Sequence, residues 1–165
     1  MAARLAGPAL DVEDLVHEVF LVACRRLAEF RGDAKITTWL YEITVRVVQD
    51  RRRRQSRWYW FSGGGRHRVS DASPNAEAVL RVASDQPSAL ELLERRQAGV
   101  TLYEILDKLP EKYRTAIILF ELEGMSGQEI AAVTQTSLSN VWIRLFRGRQ
   151  LFVKRLSART AGDRR

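Results

Sequence analysis

Asn140, Arg144, Arg147 and Lys154 are spaced so that, at about 100° per residue, they fall within about 80° of one face of a helix. Those side chains suit duplex DNA. Arginine pairs with guanine, asparagine with adenine, and lysine neutralises phosphate. A second group lies near residue 50. Trp39, Glu42, Arg46, Gln49 and Arg53 project together from another helical pattern that ends in Arg51-Arg52-Arg53-Arg54, followed by Arg57. Four consecutive arginines suit a solvated helix end through the dipole. Beside a tryptophan they also suit the bases and backbone of a nucleic acid strand. A third group is acidic: Asp11, Asp14 and Glu18 line one face of a helix. First-turn carboxylates suit the dipole, which accounts for Asp11 and Asp14. Glu18 lies beyond that turn, which leaves docking to a basic partner as the other reading.

No catalytic constellation accompanies these groups. There is no phosphate-binding glycine loop, no metal-ligand spacing and no nucleophile set beside His17 or His67. A single cysteine, Cys24, excludes an internal disulfide and, with two histidines, a Cys/His zinc cage. The expectation is a protein without enzyme activity, cofactor or metal. The formal charge of +7 over 165 residues favours a polyanionic partner. It is concentrated in residues 1–70 and 100–165, with a mildly acidic stretch between. No apolar run approaches the roughly 18 residues of a membrane span. Asp11, Glu13 and Asp14 interrupt any signal-peptide layout, so a cytoplasmic location is expected.

Helices must position all three groups. From Asp11 to Leu27, Val12, Leu15, Val16, Val19, Phe20, Ala23 and Leu27 form an apolar sector about 140° wide. Phe30 to Thr38 is polar, contains Gly32, and reads as a loop. A helix over 38–54 follows, with Leu40, Ile43, Val47 and Val48 toward the core. Trp58-Tyr59-Trp60-Phe61 either stacks on bases or caps the bundle. Gly, Ser and Pro then dominate, so residues 62–87 read as a flexible linker. Beyond it, Pro110 opens a helix that stops at Gly124. Ser126 and Glu129 form a capping box, with Met125 and Ile130 as its staple. That short helix ends near Thr134, and a turn at Gln135-Thr136 leads into a last helix over 137–156. Leu138, Val141, Leu145, Phe152 and Leu156 give this helix its inner face. Two helices joined so tightly form a helix-turn-helix pattern. The fold class expected is all-α: two small helical modules, residues 1–61 and 88–165, joined by the linker at 62–87.

In this order the motifs resemble the extracytoplasmic-function (ECF) sigma factors of bacterial RNA polymerase. Asp11 through Phe20 is similar to the core-binding helix of sigma region 2. Phe30-Arg31-Gly32, then Thr38-Trp39-Leu40-Tyr41 and Ile43, resemble the promoter-melting loop and the minus-10 helix. Leu109-Pro110-Glu111, Glu123 to Ser126, Glu129-Ile130-Ala131, Val141, Arg144-Leu145 and Arg147 resemble region 4, which binds the minus-35 element. The resemblance implies polymerase contacts from Asp11, Asp14, Leu15 and Glu18. It implies minus-10 and melting roles for Phe30, Arg31, Lys35, Thr37, Trp39, Glu42, Arg46 and Arg53. It assigns the minus-35 element to Ser137, Ser139, Asn140, Arg144, Arg147 and Lys154. The implied partners are promoter DNA, core polymerase and an anti-sigma factor, without membrane insertion.

The sequence departs from that pattern in places. Val45-Arg46 stands where Arg-Asn is common, Trp142 replaces a lysine, and Gln135 replaces a turn glycine. Residues 1–7 read like the tail of a longer helix, so an upstream start is expected. Trp58–Phe61, a partner or a second copy are the other candidates to cover the two broadly apolar helices. Two other functions compete: a stand-alone helix-turn-helix regulator of palindromic sites, and a sigma-like protein that binds one partner without supporting initiation.

Overall fold

The structure, a computed structural model, describes residues 1–8, 10–32, 34–61 and 89–162. Every regular element among them is helical. A one-turn helix α1 (Ala2–Ala6) leads to α2 (Val12–Arg26), which tightens into a 3-10 turn at Leu27–Glu29. Helix α3 runs from Ile36 to Phe61, and α4 from Ala89 to Asp107. Helix α5 (Glu111–Ile117) widens into a π turn at Ile118–Leu122 that ends before Gly124, whose φ is 69°. Helices α6 (Gly127–Val133) and α7 (Leu138–Gly162) complete the chain. The linker expected at 62–87 lies outside the described residues.

Several boundaries differ from expectation. Helix α3 continues through Trp58-Tyr59-Trp60-Phe61, so the aromatic cluster belongs to the helix rather than to a following segment. Trp58 is 72% exposed, which does not fit a bundle cap. Helix α7 runs six residues past the expected end at Leu156, to Gly162. Nothing polar in Ser157-Ala158-Arg159 breaks a helix, and Arg159 pairs with Glu104 of α4.

One apolar cluster joins the two groups of helices. It includes Leu5, Leu15, Val19, Ile43 and Val48 on one side, and Leu106, Ile118, Leu119, Ile130, Val141 and Leu145 on the other. Helices α2 and α3 pack together, and α4, α5 and α6 all pack on α7. The third element that α2 and α3 require is α1, whose Leu5 and Ala6 are fully buried, together with α6 of the second group. The wide apolar sector of α2 is only partly covered. Phe20 and Leu27, expected in the core, are 61% and 58% exposed. They stand at the sector's rim, where α3 does not reach.

Candidate nucleic-acid interface

The helix-turn-helix is fixed by local chemistry. Ser126 Oγ accepts from Glu129 N at 3.3 Å, while the Glu129 carboxylate accepts from Ser126 N at 2.9 Å and Ser126 Oγ at 2.8 Å. These bonds hold the Glu129 carboxyl below its ordinary range. In the turn, Thr136 N donates to Ala131 O at 3.0 Å, and Thr134 Oγ1 to Ile130 O at 2.7 Å. Gln135, where the resemblance implies a glycine, adopts φ 49°. Ser137 Oγ accepts from Asn140 N at 3.3 Å. The hydroxyl assigned to DNA thus caps the last helix.

Helix α7 is seated by Val141 and Leu145 and by Gly148, where a Cβ would stand 2.9 Å from Ile117. Ser139, Asn140, Arg147 and Lys154 are exposed on its other side, and Arg144 is half-buried. The Arg147 guanidinium beside the Tyr113 hydroxyl lowers the Tyr113 pKa. Trp142 does not project with them. It meets Phe120 edge-on at 5.7 Å and lies so close to Gly127 that a Cβ there would sit 2.8 Å from its ring. Glycine at 127 accommodates the tryptophan that stands in place of lysine.

The second surface is built by the loop after α2 and the start of α3. Phe30 and Trp39 rings lie 5.4 Å apart, tilted by 51°. They line a cavity of about 220 Å³ with Glu29, Arg31, Gly32, Ala34, Thr38 and Glu42. Lys35 and Thr37 are exposed beside it, and Glu42 pairs with Arg46 at 2.8 Å. Arg53 is exposed further along α3. Ala132 of α6 supplies part of the cavity wall, and Gln135 Nε2 reaches Glu42 Oε1 at 3.4 Å. This surface therefore lies against the helix-turn-helix.

The charged runs divide in the same way. Arg51 pairs with Glu18 of α2 at 2.5 Å, and Arg52 with Glu111 at 2.9 Å and Asp107 at 3.1 Å. Arg53 and Arg54 are exposed. Two of the four arginines are thus committed to the fold. In the acidic stripe, Asp11 is the N-cap of α2 and accepts from Glu13 N and Asp14 N at 2.9 and 3.2 Å. Glu18 is held by Arg51, and Asp14 remains exposed. Leu15 is 1% exposed, so as a contact for a partner it is corrected to a core residue that positions the stripe.

Sequence reasoning missed the junction beneath both surfaces. Arg114 is fully buried, donating Nε to Asp107 at 3.1 Å and Nη1 to the carbonyl of Leu5 at 2.7 Å. Arg52 Nη1 donates to Ala6 O at 3.2 Å. Gly7, at φ 67°, lets the chain pass Arg114, since a Cβ would come to 3.0 Å of Nη2. Arg4 donates to the carbonyl of Leu122, and Tyr41 donates its hydroxyl to Glu123 at 3.0 Å. Burial and the adjacent Glu123 push the Tyr41 pKa up to about 12. The available signal was Arg114 itself, a charge between the apolar positions of α5.

Comparison with known proteins agrees with this layout. Residues 1–57 match the family described as Sigma-70 region 2, and residues 100–152 that described as Sigma-70, region 4. The ECF RNA polymerase sigma-E factor of Escherichia coli is 35% identical over 149 residues, 87% of this chain and 72% of that protein. The RNA polymerase sigma-H factor of Pseudomonas aeruginosa is 30% identical over 159 residues, 94% and 78% of the two chains. Among solved structures, the sigma factor RpoE in complex with the anti-sigma factor NepR from Bartonella quintana matches with a TM-score of 0.66. That match has 22% identity and covers 94% of this chain and 87% of the other. CnrH in complex with the cytosolic domain of CnrY matches at 0.59 and 24% identity, covering 95% and 78%. With both sigma regions matched in order and relatives 30% and 35% identical over most of their length, the chain belongs to the ECF sigma factors of bacterial RNA polymerase.

Proposed function

We propose that this sigma factor directs core polymerase to promoters of two separated elements, with residues 88–165 on the upstream element and residues 1–61 on the downstream one. The outward face of α7 carries the reading: Ser139, Asn140, Arg147 and Lys154 are exposed together behind a capped helix-turn-helix. In this reading Asn140, Arg144 and Arg147 meet base edges, and Lys154 a phosphate. The cavity between Phe30 and Trp39 receives an unstacked base during melting, with Arg31, Lys35, Thr37, Arg46 and Arg53 around the strand and Glu42 at the rim. Asp14 and Glu18 face the basic surface of core polymerase.

The role is that of an initiation factor without catalysis of its own, working in the cytoplasm. Among the described residues no helix is long and apolar enough to cross a membrane. An anti-sigma factor is the expected regulator, since both solved structures cited are described as complexes, one of them with a named anti-sigma factor. Run-off transcription with purified core polymerase tests the proposal. Initiation at a promoter of two spaced elements is the expected result. Binding to a palindrome without core, and no initiation, would replace it with the stand-alone regulator.

A further inference from the structure

Helix α7 carries on its outward face, where the polar residues border exposed Phe146, another residue with nothing to donate or accept. Ile143 stands about 160° around the helix from both Val141 and Leu145, which are 0% and 1% exposed. It therefore points away from the bundle, and its side chain is 47% exposed. Its neighbours one turn away are Ser139 and Asn140 on one side, Phe146 and Arg147 on the other, all exposed. The fold makes no use of it, because α7 packs on α4, α5 and α6 through the opposite face and Ile143 lies outside the apolar cluster. The adjacent Trp142 is different: its exposure is the outer edge of a contact with Phe120 and Gly127.

The surroundings decide what covers Ile143. Around the helix, Asn140 and Arg147 flank it on one side and Ser139 and exposed Phe146 on the other, and the positive charge that Arg144, Arg147 and Lys154 give this face suits a polyanion. In a DNA major groove the one apolar group is the 5-methyl of thymine. We propose that Ile143 is a specificity-determining residue that packs on a thymine methyl in the upstream element. An aliphatic side chain there favours thymine and penalises cytosine, whose amino group would be buried without an acceptor. The inference rests on the assignment of α7 to the upstream element.

The test uses the full chain and a randomised duplex pool. Enrichment of a sequence supports the assignment of α7, and no enrichment overturns both that assignment and this inference. The enriched duplex is then made with deoxyuridine, which lacks the methyl, at each thymine in turn. One position should lose affinity about fourfold, the worth of one buried methyl at about 0.8 kcal/mol. In Ile143→Ala, which alters only an exposed side chain, the same replacement should be silent. The inference fails alone if the pool enriches but deoxyuridine is tolerated everywhere by the unaltered chain. It also fails if Ile143→Ala retains the full methyl preference, or if Ile143→Ala instead loses co-purification with core polymerase.

Discussion

The two surfaces proposed to face DNA are built to different plans. Helix α7 displays Ser139, Asn140 and Arg147 to solvent, while its packing against α4, α5 and α6 uses the far side. The Phe30–Trp39 surface is shared: Ala132 closes part of its cavity and Gln135 reaches Glu42. One surface is open and the other is partly covered by the very motif that carries the first. A duplex can lie on α7 as it stands. In the proposed reading a melted strand entering beside Trp39 meets α6, so promoter engagement is expected to require the two groups of helices to part.

The largest effect comes from forbidding that parting. In a Cys24→Ser background, Glu42→Cys and Gln135→Cys can be joined by a cleavable bis-maleimide. Joined protein should bind upstream duplex as before yet give no run-off transcript, and cleavage should restore the transcript. Full initiation by the joined protein would show that both surfaces work in the packed state.

Next is the junction that holds the covered surface. Arg114→Ala leaves the Leu5 carbonyl without its donor in a buried setting and leaves Asp107 to Arg52 alone. Loss of one member of such a pair costs about 3–5 kcal/mol, a large part of the roughly 5–15 kcal/mol that stabilises a domain. Urea denaturation reads the loss directly. Arg114→Lys should recover little, because a single ammonium cannot reach both acceptors in the planar arrangement of the guanidinium. A change below about 1 kcal/mol, the level of an exposed pair, would mean that apolar contacts alone hold the junction.

A smaller, pH-dependent effect tests the same junction from Tyr41. Its hydroxyl ionises at about 12 in the fold, against 10.0 ordinarily. The contribution is complete below pH 10.0 and declines as pH climbs toward about 12, because the unfolded chain gains from ionisation first. Tyr41→Phe should flatten part of that decline and leave the part due to Tyr103, which burial also raises. Denaturation midpoints of the two proteins should keep a constant offset below pH 10.0 and change relative to one another only at the alkaline end.

The open surface was far more legible in the sequence than the covered one. Capping boxes, turn residues and helical periodicity act over a few residues, so Ser126, Glu129, Val141 and Leu145 could be placed from spacing alone. The covered surface depends on contacts between distant segments: Leu5 with Arg114, Arg52 with Glu111, Tyr41 with Glu123. No local pattern encodes these. An arginine that ends fully buried looks, in sequence, like any solvated charge on α5. The same reason explains Arg51 and Arg52, which the dipole argument left on the surface and tertiary pairing draws inward. It also explains Phe20, which periodicity assigned to a core that does not extend so far.

The smallest effect separates the two surfaces at a single residue. Gln135 belongs to the turn of the open motif, where its φ of 49° strains any side chain with a Cβ, and it also touches Glu42 across the junction. Left-handed backbone costs a non-glycine residue about 1–2 kcal/mol. Glycine removes that strain but adds about 0.4–1 kcal/mol of unfolded-state entropy. Gln135→Gly should therefore stabilise the turn by about 0.5 kcal/mol while deleting an exposed contact at 3.4 Å. The two consequences have opposite signs in different places, which hydrogen exchange can resolve. Amides of α6 and the first turns of α7 should exchange more slowly, while those of α3 near Trp39 and Glu42 should be unchanged or faster. Slower exchange in both places would mean that the turn and the junction are one cooperative unit, and the contrast between an open and a covered surface would then be one of exposure but not of stability.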